Sequence, residues 1–426
     1  MRYITVGVLE MRVAGFCGWI WLAILIFGSC AMMVESQRTF LDSLANVELL
    51  RAFRKWTGEV IGRTGREPRL LRTAMNQNRT QSYYEGPFPC NTSVGGRSAE
   101  VPKSVHRLRP GDIDVIGAMG DSLTAGLGIF ATSLLHLVIE NRGVVASGGG
   151  QGTWREFLTL PNILKEFNPN LIGYALTDSF TFEKASQFNV AESGAISRDM
   201  PYMAQAIINR MKSDPRVNVK KHWKMITLMI GANDFCTDMC YLPEASMTLS
   251  NHKNDLLQVL RLLRDELPRT FVSIVPPPHL QLLVEITGRS SLCELTVNFE
   301  CSCLFGLVYR SQRQKYYDIM TSWQRLDEEI AQYPEFQRDD FTVVVQPLTT
   351  NLTFPMSSNG LSDLTYLSTD CFHVSQKGNA RTANALWNNL MQPVGQKSRN
   401  WPEIFGEFVC PTERRPYIAT PKNSRN

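Results

Sequence analysis

The sequence predicts an α/β fold, a parallel sheet covered by helices on both faces. Two observations carry that expectation. Brief apolar runs bounded by turn residues alternate with stretches whose apolar residues recur at helical spacing, the pattern of strands joined by helical crossovers. Two of the runs stop abruptly in turns bearing polar side chains, as the carboxyl edge of a parallel sheet does where ligands bind. A chain of 426 residues can bury a large core, and a formal charge of +4 is too small to imply a nucleic-acid partner.

In chain order, Arg2 and Arg12 accompany an apolar run from Val13 to Phe27, followed by the small residues Gly28, Ser29 and Ala31. The run falls short of the roughly 20 residues of a membrane span, so 1–31 reads as a cleaved signal peptide, with an uncleaved membrane anchor as the alternative. Residues 32–104 form a polar extension. Within it Leu41, Ala45, Leu49, Ala52, Phe53, Trp56 and Val60 predict one helix, and Gly86 to Pro102 reads as a connecting loop. The main domain is expected over 105–396. It opens with a strand from Ile113 that runs into Gly120-Asp121-Ser122, then a helix over 125–141 and a strand at 144–147 leading to the glycines 148–150. Further strands are expected at 171–175, 224–230, 271–275 and 342–345, and Leu256, Leu260, Leu263 and Leu267 mark one of the intervening helices. Residues 397–426, rich in proline, read as a tail partly held by Cys410.

Of the ten cysteines, Cys17 and Cys30 would leave with the signal, and the even number remaining fits disulfides in an oxidising compartment. Cys236 with Cys240 is the most local pairing, and a bridge at Cys371 would pin its loop. No Cys-x-x-Cys pair exists, so no zinc site is expected. Glycosylation triplets beginning at Asn78, Asn91 and Asn351 agree with secretion.

Ser122, on the turn just past the first strand, is the candidate nucleophile, and Gly120 suits so tight a turn. A serine hydroxyl needs a base to take its proton and a third group to orient that base. Asp370 and His373, three residues apart on one loop, can lie side by side, so that the carboxylate accepts from one ring nitrogen while the other faces the serine. His106, His136, His222, His252 and His279 have no aspartate so placed and read as surface or core residues. Gly231-Ala232-Asn233-Asp234 repeats the strand-end geometry, where the Asn233 amide can donate to a developing oxyanion. The glycines 148–150 allow a backbone N–H to approach substrate closely.

With Gly-Asp-Ser-Leu at 120–123, Gly150, Gly-Ala-Asn-Asp at 231–234 and Asp-x-x-His at 370–373 in that order, the chain resembles the GDSL lipases, also called SGNH hydrolases. The stretches 104–110, 160–169, 189–192, 198–201 and 372–379 look like the phospholipase B branch, especially its single-domain animal members. The resemblance implies a flavodoxin-like three-layer α/β/α sandwich with a five-stranded parallel sheet. It implies Ser122 as nucleophile, His373 as base and Asp370 as orienting acid. The oxyanion hole would comprise the Ser122 N–H, the Gly150 N–H and the Asn233 side chain, with Gly148 or Gly149 replacing Gly150 if the turn aligns differently. No metal or organic cofactor is implied. One departure is the apolar segment between Ser122 and Gly150, where a more polar loop is expected. The Gly-x-Ser-x-Gly elbow of α/β-hydrolases is absent, since Thr124 stands in place of its second glycine.

The expected function is that of a secreted serine esterase acting on acyl esters of glycerophospholipids and lysophospholipids, in transient contact with membranes or lipid aggregates. A carboxylesterase or deacetylase on small or carbohydrate esters would use the same groups. A secreted lipid-binding glycoprotein without activity is the reading from another class.

Overall fold

The computed structural model describes residues 44–425. The apolar run at 13–27, its cleavage region and Leu41 lie outside the described residues. Among those described, no helix is long and apolar enough to cross a membrane. Two compact units are distinguished, Met1–Trp56 and Thr57–Asn426. Helix α1 (Leu44–Ile61) begins in the first, where the apolar spacing predicts it.

The second unit is built on four parallel strands in sequence order, β1 (Ile113–Gly120), β2 (Trp223–Met229), β3 (Thr270–Ile274) and β4 (Phe341–Val345). Each strand is too apolar to face water, and its alternate residues feed two separate cores. Val115, Ile226, Val272 and Val343 pack with Ile207 of α4 (Met200–Ser213), Leu260 of α5 (Met247–Glu266) and Trp323 of α7 (Arg313–Ala331). Ile116, Met225, Phe271 and Val344 pack with Ile163 and Phe167 of α3 (Leu160–Phe167) and Trp387 of α8 (Gln376–Met391). The sheet therefore lies between two helical layers, the expected three-layer sandwich. Burial of each large apolar side chain stabilises it by about 1.5–3 kcal/mol. The extension from Thr57 and the tail share this unit, and Ile418 and Ala419 of the tail are buried.

The sheet has four continuous strands rather than five. The place beside β1 is filled by fragments: the Ile116 N–H donates to Ile172 O, and the Ala118 N–H to Phe188 O. Gly173, at φ 100°, turns the chain out of the extended conformation, so the strand expected at 171–175 survives only as isolated bridges at Ile172 and Ala175. The strand expected at 144–147 is also absent. The Arg142 guanidinium is buried inside a tight turn and donates to Glu140, Asn189 and the Ser179 and Ala191 carbonyls, which coils the chain around it. In place of the helix over 125–141 stand the short α2 (Ser122–Ala125) and one turn at Leu134–Val138. Gly126 (φ 78°) and Gly128 (φ 64°) adopt left-handed conformations that end the helix.

Cys236 and Cys240 do not pair with each other. They bond to Cys301 and Cys303, and the other bridges are Cys90–Cys410 and Cys293–Cys371. One helical turn apart, the two cysteines face the same neighbouring segment rather than one another.

Candidate active site

The carboxyl ends of β1 and β2 bring two of the predicted turns together. Gly120 comes so close to β2 that a Cβ on it would lie 2.3 Å from Met229 O. Just past it, the Asp121 side chain accepts from the Leu123 N–H at 2.9 Å and caps α2, which places Ser122 at the first position of that helix. Burial pushes the Asp121 carboxyl up to about 6.

The third turn arrives from the far end of the chain. The loop before α8 folds back on itself, with the Ser368 N–H donating to His373 O at 2.7 Å and Leu367 bridging Val374. Cys371 sits at its tip in a left-handed conformation (φ 58°), held by the bridge to Cys293 of α6 (Ser291–Glu300). Thr296 of α6 donates its hydroxyl to Asp370 O at 2.7 Å.

Ser122, His373 and Asp370 meet in one line. Ser122 Oγ lies 2.8 Å from His373 Nε2, and His373 Nδ1 lies 2.6 Å from Asp370 Oδ2. Asp370 Oδ1 accepts from the Phe372 and His373 N–H groups, both at 3.0 Å, so three N–H groups orient this carboxylate. The imidazole therefore donates from Nδ1 and accepts the serine proton at Nε2. Burial alone would depress the His373 pKa, but the Asp370 charge and hydrogen bond, with Glu300 and Asp121 behind them, push it up to about 9. Burial raises the Asp370 carboxyl, yet the imidazole and the N–H donors outweigh it and hold the group below the usual range.

Nothing in the sequence marked Glu300. Its Oε2 lies 3.6 Å from His373 Nδ1, buried and without a hydrogen-bond partner among the described residues. Burial pushes this carboxyl up to about 7. Glu300, Asp370 and His373 are acidic and imidazole groups close enough to share a cation. His373 Nδ1 carries the hydrogen it donates to Asp370, however, so a cation ligated by that nitrogen would have to break the His373–Asp370 bond.

The expected oxyanion donors divide. Asn233 follows β2, after Gly231, where a Cβ would press on Trp323 at 2.9 Å. Its amide donates one N–H to Ala195 O at 2.9 Å, which leaves the second. The Gly150 N–H is spent on Ala175 O at 2.9 Å and the Gly149 N–H on Val145 O at 3.0 Å. The Gly150 bond lies beside the Gly149–Ala175 bridge. The Gly148 N–H enters none of the backbone hydrogen bonds of the described residues.

Two narrow apolar cavities of about 60 Å³ each share Leu123, Pro278, Val374 and Trp401, so both are lined by the residues that follow Ser122 and His373 in sequence. One continues between Leu280, Leu283 and Phe354, the other between Met229, Val275 and Leu386. A larger cleft of about 640 Å³, between 181–188 and 210–216, contains none of the catalytic candidates. His252 also departs from expectation: it is buried against an aspartate, Asp327, that lies far away in sequence.

A family model described as GDSL-like Lipase/Acylhydrolase matches residues 116–386. The chain is 38% identical over 372 residues, 85% of its length, to the protein named phospholipase B1, membrane-associated, of Homo sapiens. It is likewise 38% identical over 365 residues, 84% of its length, to the Rattus norvegicus protein of that name. It spans 25% of the length of each of these relatives.

Proposed function

This chain belongs to the GDSL-like lipase/acylhydrolase family, in its phospholipase B branch, and on that premise we propose that it is a secreted serine esterase hydrolysing acyl esters of glycerophospholipids and lysophospholipids. The observation that carries the reading is the continuous relay from Ser122 Oγ through His373 to Asp370. His373 takes the serine proton as Oγ attacks the ester carbonyl, and the Ser122 N–H, the Gly148 N–H and the free N–H of Asn233 stabilise the oxyanion. The imidazolium then protonates the leaving lysophospholipid or glycerol oxygen, which leaves a fatty acyl ester on Ser122. Water attacks that ester, gives its proton to His373, and the fatty acid departs as Ser122 recovers its hydrogen.

The apolar lining of the two cavities, Leu280, Leu283 and Phe354 in one and Met229, Val275 and Leu386 in the other, suits an acyl chain better than a carbohydrate. Contact with a lipid aggregate is supported by α6, whose Leu292, Leu295 and Phe299 share one face and are 48%, 68% and 80% exposed. The same helix is tied to the catalytic loop by the Cys293–Cys371 bridge. Secretion is supported by the four disulfides among the described residues and by the exposure of Asn78, Asn91 and Asn351.

The test is Ser122→Ala in purified protein, assayed on phospholipid, lysophospholipid, triglyceride and short-chain esters. Activity is expected to fall by roughly 10³-fold or more, with wild-type activity greatest on the phospholipid substrates. Full activity in the folded variant would refute the mechanism, and a wild-type preference for acetyl esters would refute the substrate class.

A further inference from the structure

Away from the catalytic relay, the molecule holds a second serine, histidine and aspartate in line. Ser197 Oγ lies 2.7 Å from His252 Nδ1, and His252 Nε2 lies 2.8 Å from Asp327 Oδ1. The imidazole stacks on Trp323 with ring centroids 3.6 Å apart. With Asp327 accepting from the Nε2–H, Nδ1 accepts from the Ser197 hydroxyl, which is the catalytic arrangement with the two ring nitrogens exchanged. Substrate cannot reach it. Ser197, His252 and Asp327 are 2%, 1% and 2% exposed, so this is no second hydrolytic centre.

What this relay holds is segment 195–197, and that segment grips the oxyanion turn at two points. Ala195 O accepts from Asn233 Nδ2 at 2.9 Å, and the Ser197 N–H donates to both Asp234 carboxylate oxygens at 3.1 Å. Ser197 lies in the turn that leads into α4, His252 on α5 and Asp327 on α7, three helices of one face of the sheet. Through these bonds the helical layer is keyed to the turn that follows β2.

We infer that Ser197, His252 and Asp327 are positioning residues that aim the Asn233 amide at the oxyanion. The inference rests on the role proposed above for Asn233. A side-chain amide can rotate about two bonds, and fixing one N–H on Ala195 O sets the direction of the other. A donor stabilises the transition state to the extent that it is already oriented, and a buried, fully satisfied polar network supplies the rigidity.

The test is a double-mutant cycle on the full-length protein with p-nitrophenyl butyrate, a soluble substrate, with thermal unfolding monitored in parallel. Asn233→Ala is expected to lower kcat by about 100-fold or more. Ser197→Ala is expected to lower kcat by about 10-fold with KM within about twofold. In the double variant the second loss should vanish, because a mispositioned donor that is already missing costs nothing further. Asp327→Asn, which alters the far end of the relay without touching the turn, goes through the same cycle and decides the matter if Ser197→Ala does not fold. Wild-type kcat in folded Ser197→Ala and Asp327→Asn, or losses that multiply fully with that of Asn233→Ala, would overturn the inference and leave the proposed function standing. Wild-type activity in Asn233→Ala would instead remove the role on which it rests.

Discussion

Replacing Glu300 with glutamine should move the acid limb of the pH–rate profile to lower pH. His373 acts as a base only when its Nε2 carries no proton, so kcat/KM rises as pH rises through the imidazole pKa, held near 9 by its anionic neighbours. Glu300, with a carboxyl near 7, is ionised across that range. Its Oε2 stands 3.6 Å from Nδ1, and the side chain keeps 22% of its exposure. A unit charge at that separation contributes about 1.2 kcal/mol under water-like screening and about 4.6 kcal/mol at an effective dielectric near 20. The partial exposure argues for the lower figure, which corresponds to a fall of at least about 0.8 pH unit in the His373 pKa. The assay is kcat/KM for p-nitrophenyl butyrate from pH 5 to pH 10, on wild type and Glu300→Gln. The variant should be the more active of the two near neutral pH, where more of its His373 is unprotonated. A limb that stays within about 0.2 unit, or shifts upward, would refute the electrostatic reading of Glu300.

Asp370→Asn should lower kcat by roughly 10³–10⁴-fold in a folded protein, because the amide no longer holds the tautomer that leaves Nε2 free, and steady-state kinetics would show it. Replacing Cys293 and Cys371 together with serine opens a loop of 78 residues. On the chain-entropy model that costs about 4.5 kcal/mol, to be read as a lower denaturant midpoint together with a loss of kcat. Leu283→Trp fills one apolar cavity and should cut kcat/KM for long-chain acyl esters by about 10-fold relative to butyrate, whereas an equal effect on both would remove that cavity as the acyl site. Phe299→Ser and Leu295→Ser should slow hydrolysis of phospholipid vesicles while butyrate turnover is retained, and equal losses on both substrates would count against lipid contact through α6.

Local pattern alone carried the α/β architecture and the three side chains of the proposed relay. The apolar runs at 224–230, 271–275 and 342–345 form β2, β3 and β4 because residues that are apolar on both faces have no stable place except between two helical layers. Ser122, Asn233 and His373 were legible because each stands on a turn with its own sequence signature, and Asp370 because it shares a loop with its histidine. The missed elements fall where partners distant in sequence, or a left-handed backbone within the run, overrode the apolar pattern. The coil of residues around the Arg142 guanidinium replaced an expected strand, and left-handed glycines at 126 and 128 ended an expected helix.

What the chain determined by itself, then, was which residues lie at strand ends and how they alternate with helices, since both are set by neighbours within a few positions. Only the tertiary structure decided which glycine N–H is free, which cysteines pair, that Glu300 stands behind the imidazole and that His252 finds Asp327. Each of those depends on segments tens to hundreds of residues apart meeting at fixed distances, and such meetings are set by how the layers pack on the sheet.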